Sequence, residues 1–283
     1  MPLFVFVLTE PSSLNKMNFK EKYGSTALIA GASEGIGFSF GEALAKAGMN
    51  IIMVARRKEP LEKAALEIEK KFSVKTFPVV CDLTEENALQ NIQNAIGNTE
   101  INVLIYNAAL SPIGPFLNLS EEEIEKVVSV NMLAPIKFVH SFGRQMMEKR
   151  KGAIVLMTSL AGTRGTGFLA MYSATKAFNQ MFAEALWYEW KKKGVDMIAC
   201  IAGATTTPGY IKSKPKSAGF VKTPLQEPNQ VVEECLKKLG KTPSFISGGQ
   251  NKMAAFFMNK ILSRKMSINI MGDSIRKIYE VID

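Results

Sequence analysis

The chain has 283 residues, of which 47% are hydrophobic, and this is enough for a single large α/β domain with a sizeable core. Its net charge of +9 comes from scattered lysines rather than from a basic block with interleaved aromatic residues, so we expect a solvated surface and no nucleic-acid partner. No apolar run approaches the ~18 residues of a membrane span. The spacing of Cys81, Cys200 and Cys235 fits neither a zinc site nor a disulfide framework. We therefore expect a cytoplasmic protein without a metal.

Residues 1–20 form a predicted N-terminal extension. Within Met1–Lys16, the apolar run Leu3–Leu8 has no positive charge before it and is too short for a secretory signal. An extra strand, a start-site artefact or a weak membrane contact would each explain it. We favour the artefact, because Met17 can itself begin a compact domain, and we assign this segment no function.

From Thr26 onward, short apolar runs alternate with segments of helical composition. The predicted strands are Thr26–Ala30, Asn50–Ala55, Lys75–Cys81, Ile101–Ile105, Ala153–Ser159, Asp196–Ile201 and Ser244–Ser247. The predicted helices are Phe38–Ala47, Lys58–Phe72, Glu85–Ile96, Glu121–Lys149, Ser173–Lys193 and Gln230–Leu239. Because the strands are almost continuously apolar, helices should cover both faces of the sheet. The alternation predicts a doubly wound parallel sheet in a three-layer α/β/α domain that spans residues 21–249.

The carboxyl ends of such strands share one edge of the sheet, where ligands bind at the topological switch point. The stretch Thr26–Leu44 reaches that edge with a strand, a turn that contains Gly31, Gly35 and Gly37, and a helix. Glycine lets the backbone turn sharply and lets a ligand approach closely, and the N–H groups at a helix start attract phosphate. The order of these parts predicts a phosphate-binding crossover, with the spacing GxxxGxG in place of the commoner GxGxxG.

The stretch Thr207–Pro228 interrupts the alternation with four prolines and little periodicity. A long loop that follows a strand at the ligand edge is typical of a substrate lid, and a surface insertion would have the same composition. The sequence leaves these two interpretations open.

Residues 250–283 form a predicted C-terminal helical extension. Within it, Lys252–Met271 is apolar and basic at helical spacing, and we predict one helix there. Such a helix can lie on a membrane surface, but packing on its own domain or on a second subunit is the commoner use of an amphipathic helix. We therefore favour packing over membrane contact.

Tyr172 and Lys176 stand four residues apart on a predicted helix, so both side chains share one face. A phenol titrates near ~10 in water, which is too high for efficient proton transfer at neutral pH. A neighbouring ammonium favours the phenolate, so we expect Lys176 to lower the pKa of Tyr172. Ser159, which ends a strand, can orient a carbonyl by hydrogen bonding, and Asn131 can hold a water that connects the lysine with solvent.

With these residues in this order, the sequence resembles the short-chain dehydrogenase/reductase family from about Ser25 to Gly209. The matching motifs are GASEGIG, CDL at Cys81–Leu83, YNAA at Tyr106–Ala109, VNM at Val130–Met132, TSLAG at Thr158–Gly162 and YSATKAF at Tyr172–Phe178. The resemblance implies a Rossmann-type fold, a nicotinamide cofactor, and hydride transfer between that cofactor and a carbonyl or alcohol carbon. It also implies a dimer or tetramer of identical chains that acts on a small or lipid-like molecule.

The resemblance implies a role for each matching residue. Tyr172 is the general acid or base, and Lys176 lowers its pKa and holds the nicotinamide ribose. Ser159 positions the substrate oxygen, and Asn131 supports the proton relay. The implied cofactor contacts are Gly31, Ser33, Glu34, Gly35, Ile36, Gly37, Arg56, Asp82, Leu83, Asn107, Ala108, Ala109, Tyr172, Lys176, Gly203, Thr205 and Thr207. The family's Pro-Gly after the sixth strand is Ala202-Gly203 here, which loosens that turn.

The end of the second predicted strand bears on the choice of cofactor. A carboxylate there would accept the ribose 2′-hydroxyl of NAD and repel a 2′-phosphate, but Arg56 and Arg57 follow this strand. Arg56 can bind a phosphate with two hydrogen bonds and Ser33 can add a hydroxyl, so we predict NADP(H) over NAD(H). The alternative is that both arginines only begin a solvated helix.

Two functions follow from these observations. The first is an NADP-dependent carbonyl reductase or alcohol dehydrogenase. The second is a sensor or scaffold of the same fold that binds NADP without turnover. The presence of Ser159, Tyr172 and Lys176 together favours the enzyme, because a protein without turnover has no need for all three.

Overall fold

The computed structural model of the chain describes residues 19–213, 215 and 225–281. Its strands are β1 Thr26–Ala30, β2 Asn50–Ala55, β3 Thr76–Val80, β4 Val103–Tyr106, β5 Gly152–Ser159, β6 Val195–Ala202 and β7 Ser244–Ile246. Its helices are α1 Phe19–Tyr23, α2 Gly35–Lys46, α3 Lys58–Phe72, α4 Ala88–Ile96, α5 Glu121–Val128, α6 Ala134–Lys149, α7 Ala170–Trp190, α8 Pro208–Lys212, α9 Pro228–Lys238, α10 Gly249–Phe256 and α11 Arg264–Tyr279. Each predicted strand is present, with ends that differ from the prediction by at most two residues.

These strands form one parallel sheet in the order β3-β2-β1-β4-β5-β6-β7. At its centre, Ala30 of β1 pairs with Val54 of β2 and with Tyr106 of β4, so the three strands end close to one level. The winding reverses between β1 and β4, and a crevice opens at such a point beyond the carboxyl ends of the strands. The predicted doubly wound sheet is confirmed.

Helices cover both faces of this sheet and bury a core on each. On one face, Phe40 of α2 and Leu236 of α9 belong to the core that contains Met53 of β2. On the other face, Phe138 of α6 belongs to the core that contains Leu104 of β4. Full burial of a large apolar side chain contributes about 1.5–3 kcal/mol, so the two cores supply most of the stability of the three layers.

The predicted helix Glu121–Lys149 is not one regular helix. A π-helical turn, Ser129–Leu133, joins α5 to α6. The wider turn places the Asn131 amide where it hydrogen-bonds both backbone groups of Leu110. The prediction of a continuous α-helix is wrong at this turn, and turns of this kind are frequent at functional sites.

The predicted single helix Lys252–Met271 is also wrong, because the chain forms α10, a π-helical turn Phe257–Ile261, and then α11. Leu262 has an extended backbone, with φ −81° and ψ 146°. Ser263 begins α11 by accepting a hydrogen bond from the backbone N–H of Met266. This N-cap starts a new helix although the apolar pattern continues across it.

The extension packs on its own domain with one side only. The guanidinium of Arg276 in α11 lies 5.2 Å from the ring centroid of Phe168, in the segment that precedes α7. Along α10, the π-helical turn and α11, the exposed apolar side chains are Met253, Phe256, Phe257, Ile261, Met266, Ile268 and Ile270. Contact of these side chains with a second subunit or a membrane stays a prediction. Within the described ranges, no helix combines the length and the hydropathy needed to span a bilayer.

Two predicted segments lie partly or wholly outside the described residues. Met1–Lys16 lies outside them entirely. Of the predicted loop Thr207–Pro228, the structure describes both ends, where the first forms α8 and Gln226 pairs with Thr205. The choice between a lid and a surface insertion stays open. The predicted boundary at residue 249 falls at the start of α10.

Asn102 sets the start of β1, and its replacement should destabilise the fold. Its Oδ1 accepts a hydrogen bond of 3.0 Å from the buried N–H of Thr26. Asn102→Ala leaves that donor without an acceptor, and we expect the free energy of unfolding to fall by about 1–3 kcal/mol in urea titrations. Asn94→Ala, at an exposed position on α4, is the matched control and should change it by less than about 0.5 kcal/mol. Equal losses in the two variants would contradict this role of Asn102.

Candidate active site

A cleft of about 530 Å³ opens at the switch point. Its walls come from the turns after β1, β2, β3 and β4 and from the start of α8. The predicted cofactor contacts that line it are Gly31, Ser33, Glu34, Gly35, Ile36, Arg56, Asp82, Leu83, Asn107, Ala108, Ala109 and Thr207. The parallel sheet therefore brings together residues that are far apart in the sequence.

The turn after β1 leaves no space for a side chain at Gly31 or Gly37. Gly31 has φ +83°, and a Cβ there would lie 2.8 Å from the backbone nitrogen of Ala108. A Cβ on Gly37 would lie 1.9 Å from the carbonyl oxygen of Gly31. Gly37 therefore packs against the turn and does not line the cleft. The side chain of Asn107 donates a 3.0 Å hydrogen bond to the same carbonyl. The turn thus joins β1, α2 and the end of β4 into one rigid unit.

The cleft presents groups that attract an anion. α2 begins at Gly35, and the side chain of Glu34 does not cap it, so the first N–H groups of the helix receive no acceptor from that side chain. Glu34 pairs with Arg57 at 2.7 Å, which neutralises the carboxylate nearest to the turn. Arg56 lines the cleft and forms no ion pair with any of the residues that the structure describes. The turn, the helix start and this cation fit the phosphates of a dinucleotide.

Two polar side chains, Asp82 and Thr84, fix the loop that follows β3. Asp82 accepts hydrogen bonds from the backbone N–H and the hydroxyl of Thr84, at 3.0 and 2.9 Å. Both residues line the cleft just after β3. These hydrogen bonds therefore fix the shape of the loop after β3, next to the end of β2.

The three predicted catalytic side chains lie together at the carboxyl end of β5. Ser159 is the last residue of that strand, its hydroxyl accepts a hydrogen bond from the backbone N–H of Ala161 at 3.2 Å, and its side chain acts on the pKa of the Tyr172 phenol. The Nζ atom of Lys176, one helical turn further along α7, lies 5.6 Å from the centroid of the Tyr172 ring. Lys176 also donates a 2.9 Å hydrogen bond to the carbonyl of Met157. A strand end and one helix face thus position a hydroxyl, a phenol and an amine side by side.

Burial controls the acid strengths of the phenol and the amine. Desolvation raises the pKa of Tyr172, and the hydrogen bond from Ser159 offsets only part of that increase. Burial also lowers the pKa of Lys176 to about 8. The pKa of Tyr172 is therefore raised, and the expectation that Lys176 lowers it is not met, because the causes of the shift are burial, the side chain of Ser159 and the charge of Tyr279.

Asn131 ties the π-helical turn to its surroundings. Its Oδ1 accepts from the Leu110 N–H, and its Nδ2 donates to the Leu110 carbonyl and to the hydroxyl of Thr175. Its backbone carbonyl accepts from Asn179 of α7 at 2.9 Å. Both N–H groups of the Asn131 amide are thus engaged with the protein. Its part in a proton relay stays a prediction.

The three predicted cofactor contacts that follow β6, Gly203, Thr205 and Thr207, lie in surroundings that differ from one another. Gly203 lies against Asn251, because a Cβ on Gly203 would be 2.5 Å from that amide. Thr205 is buried and donates to the carbonyl of Gly203 at 3.1 Å. Thr207 reaches the cleft, where its side chain caps α8. Roles of Gly203 and Thr205 at the cofactor stay predictions.

Several cleft residues lie outside the set that sequence reasoning selected. They are Ala55, Arg57, Cys81, Thr84, Leu110, Val130, Gly209 and Lys212. Most of them are neighbours of selected residues, but Lys212 belongs to α8, which no prediction placed. Thr207 followed by Pro208 is a typical N-cap and first helical residue, so this pair was the available signal for α8.

Comparison with known proteins gives consistent results. Residues 25–218 match the family model of the short chain dehydrogenases. A 7beta-hydroxysteroid dehydrogenase of Clostridium sardiniense is 32% identical over 236 residues, which cover 83% of this chain and 90% of that protein. A structure solved for insights into 7beta-hydroxysteroid dehydrogenase stereoselectivity has a TM-score of 0.85 at 31% identity and covers 90% of this chain and 99% of that one. A short-chain dehydrogenase from Sphingobium yanoikuyae in complex with NADPH has a TM-score of 0.70 at 26% identity and covers 79% of this chain and 87% of that one.

The low pKa of Lys176 should make stability depend on pH. The unfolded chain holds the lysine proton up to about pH 10.4, whereas the folded chain loses it near pH 8. The cost of burying the charged lysine is present below pH 8 and falls as the pH rises. Relative to Lys176→Met, the free energy of unfolding should therefore increase by about 1 kcal/mol per pH unit between pH 8 and 10. Lys193→Met, at an exposed position, should run parallel to the unmodified protein. Parallel curves for Lys176→Met as well would contradict this assignment.

Proposed function

The chain belongs to the short-chain dehydrogenase/reductase family, and we propose that it transfers a hydride between NADP(H) and a carbonyl or alcohol carbon of a small or lipid-like substrate. The observation that carries the proposal is the group of Ser159, Tyr172 and Lys176 at the end of β5. This strand is paired with β4, whose end lines the nucleotide-sized cleft.

The cleft supports the binding of a dinucleotide cofactor. In our proposal, the Gly31 turn and the start of α2 hold its pyrophosphate, and the loop of Asp82 holds its adenine. Asn107 and Ala108 pack along the cofactor toward β5. A nicotinamide held in this way supplies or accepts the hydride.

The charges at the end of β2 support NADP(H) over NAD(H). Glu34 would repel a 2′-phosphate, but its ion pair with Arg57 cancels much of that repulsion. Arg56 and the hydroxyl of Ser33 then remain to bind the phosphate. The Sphingobium yanoikuyae relative, whose complex contains NADPH, is in accord with this preference.

The raised pKa of Tyr172 supports a role as general acid. A phenol that keeps its proton at neutral pH can donate it to the oxygen of a carbonyl substrate during reduction. Ser159 orients that oxygen through its hydroxyl. In the oxidising direction Tyr172 accepts the proton of the alcohol, and a protonated Lys176 beside it favours the phenolate.

The relatives support a bulky and largely apolar substrate. Two of them are described as 7beta-hydroxysteroid dehydrogenases, so a secondary alcohol on a fused ring system is the substrate class that we propose. A protein that binds NADP as a sensor or scaffold without turnover is the second candidate. The two candidates differ in one measurement, which is the consumption of NADPH in the presence of ketones.

Removal of the Arg56 side chain should weaken NADPH binding selectively. Arg56→Ala deletes the cation proposed for the 2′-phosphate, so the KM for NADPH should rise by about tenfold or more while the KM for NADH changes little. Steady-state rates with each cofactor measure this difference. Arg144→Ala, at an exposed position on α6, is the control. Equal small effects of Arg56→Ala on both cofactors would remove the assignment.

Removal of the Tyr172 hydroxyl should stop proton transfer but spare the fold. Tyr172→Phe deletes the proposed acid, and we expect kcat to fall by about 10²–10⁴-fold with a nearly unchanged Kd for NADPH. The NADPH absorbance band with a panel of ketones gives the rate, and Tyr188→Phe, on an exposed part of α7, is the control. Full turnover by Tyr172→Phe would exclude the proposed role. Tight NADPH binding by the unmodified protein without turnover of any ketone would favour the sensor.

A further inference from the structure

The C-terminal helix α11 is attached to the segment that leads into the catalytic helix. The backbones of Gly167 and Gly272 meet there, because a Cβ on Gly167 would lie 3.3 Å from the Cα of Gly272. The hydroxyl of Thr166 lies 3.9 Å from the sulfur of Met271. These contacts begin six residues before Tyr172, so α11 is held at the entrance of α7.

The end of α11 meets α8 on the other side of the same space. The phenol oxygen of Tyr279, the last residue of α11, lies 3.3 Å from the hydroxyl of Ser213, which follows α8. α8 begins after Thr207, which lines the cofactor cleft. The end of α11 thus contacts the residue that follows α8, while its middle, at Met271 and Gly272, contacts the segment that precedes α7.

Electrostatics agree with this placement. Burial is the largest cause of the raised pKa of Tyr172 and of Tyr210, and the charge of a Tyr279 phenolate adds to the increase at both. Charges affect one another in this way only over short distances. These directions agree with a position of Tyr279 near the other two phenols.

The hydrogen bonds of Ser213 determine what Tyr279 can still bind. Ser213 has a single proton, which it donates to the carbonyl of Tyr210 at 2.6 Å. In the contact between Ser213 and Tyr279 the phenol is consequently the donor. The phenol oxygen of Tyr279 keeps its lone pairs, and these can accept a hydrogen bond from another molecule.

From this geometry we infer that Tyr279 is a substrate-binding residue that accepts a hydrogen bond from a second hydroxyl group of the substrate, remote from the reacting carbon. The inference rests on the proposed function, since it concerns the substrate of that same site. It makes the C-terminal extension a part of the active site. Ser213 acts as a positioning residue that orients the Tyr279 phenol.

Matched ketones test the inference. We would use decalone and a set of hydroxydecalones in which the hydroxyl lies at increasing distance from the ketone, with NADPH as the reductant. The unmodified protein should show a lower KM for at least one hydroxydecalone than for decalone. Tyr279→Phe should raise the KM for that compound by about tenfold, leave its kcat within about twofold, and leave both values for decalone unchanged. Ser213→Ala should change the same KM in the same direction by less.

Tyr188→Phe is the matched control, because it removes an exposed phenol from the far part of α7. Titration calorimetry of the same ketones gives a readout that does not depend on turnover. A hydroxydecalone that binds the unmodified protein more tightly than Tyr279→Phe, without being reduced, would contradict the proposed function and support the role of Tyr279. Equal effects of Tyr279→Phe on decalone and hydroxydecalone, or no preference for any hydroxydecalone in the unmodified protein, would overturn the inference.

Discussion

The close contact between the Gly31 carbonyl and Gly37 is the constraint on which the site depends. No side chain fits between them, since a Cβ on Gly37 would lie 1.9 Å from that oxygen. The same carbonyl accepts a hydrogen bond from Asn107, so one oxygen joins the ends of β1 and β4 to the start of α2. Because the sheet winds in opposite directions from this point, the crevice for the cofactor opens there.

Burial links this scaffold to the chemistry. Tyr172 and Lys176 lie on the inner face of α7, and desolvation raises the pKa of the phenol and lowers the pKa of the amine to about 8. Both shifts favour the neutral forms, which agrees with the role as general acid that we propose for Tyr172. The fold thus favours a protonated phenol before any charge of a cofactor is added.

The C-terminal extension contacts the domain close to the catalytic helix. Its apolar and basic pattern indicates a surface helix, yet α11 reaches back to the entrance of α7 and places Tyr279 beside Ser213. The extension also exposes apolar side chains from Met253 to Ile270. In our proposal, the end of α11 that carries Tyr279 contributes to the substrate site.

The sequence alone determined the elements whose signals are local: the apolar strands, the glycine turn, and the pair Tyr172 and Lys176 on one helix face. It also predicted most of the cleft, because the carboxyl ends of parallel strands must meet at one edge. The tertiary structure decided the direction of the Tyr172 pKa, the break at Ser263 and the position of Tyr279. These features arise only when the chain has packed. They depend on desolvation, on capping within a continuing apolar pattern, and on contacts between residues more than 60 positions apart, so no pattern along the sequence could predict them.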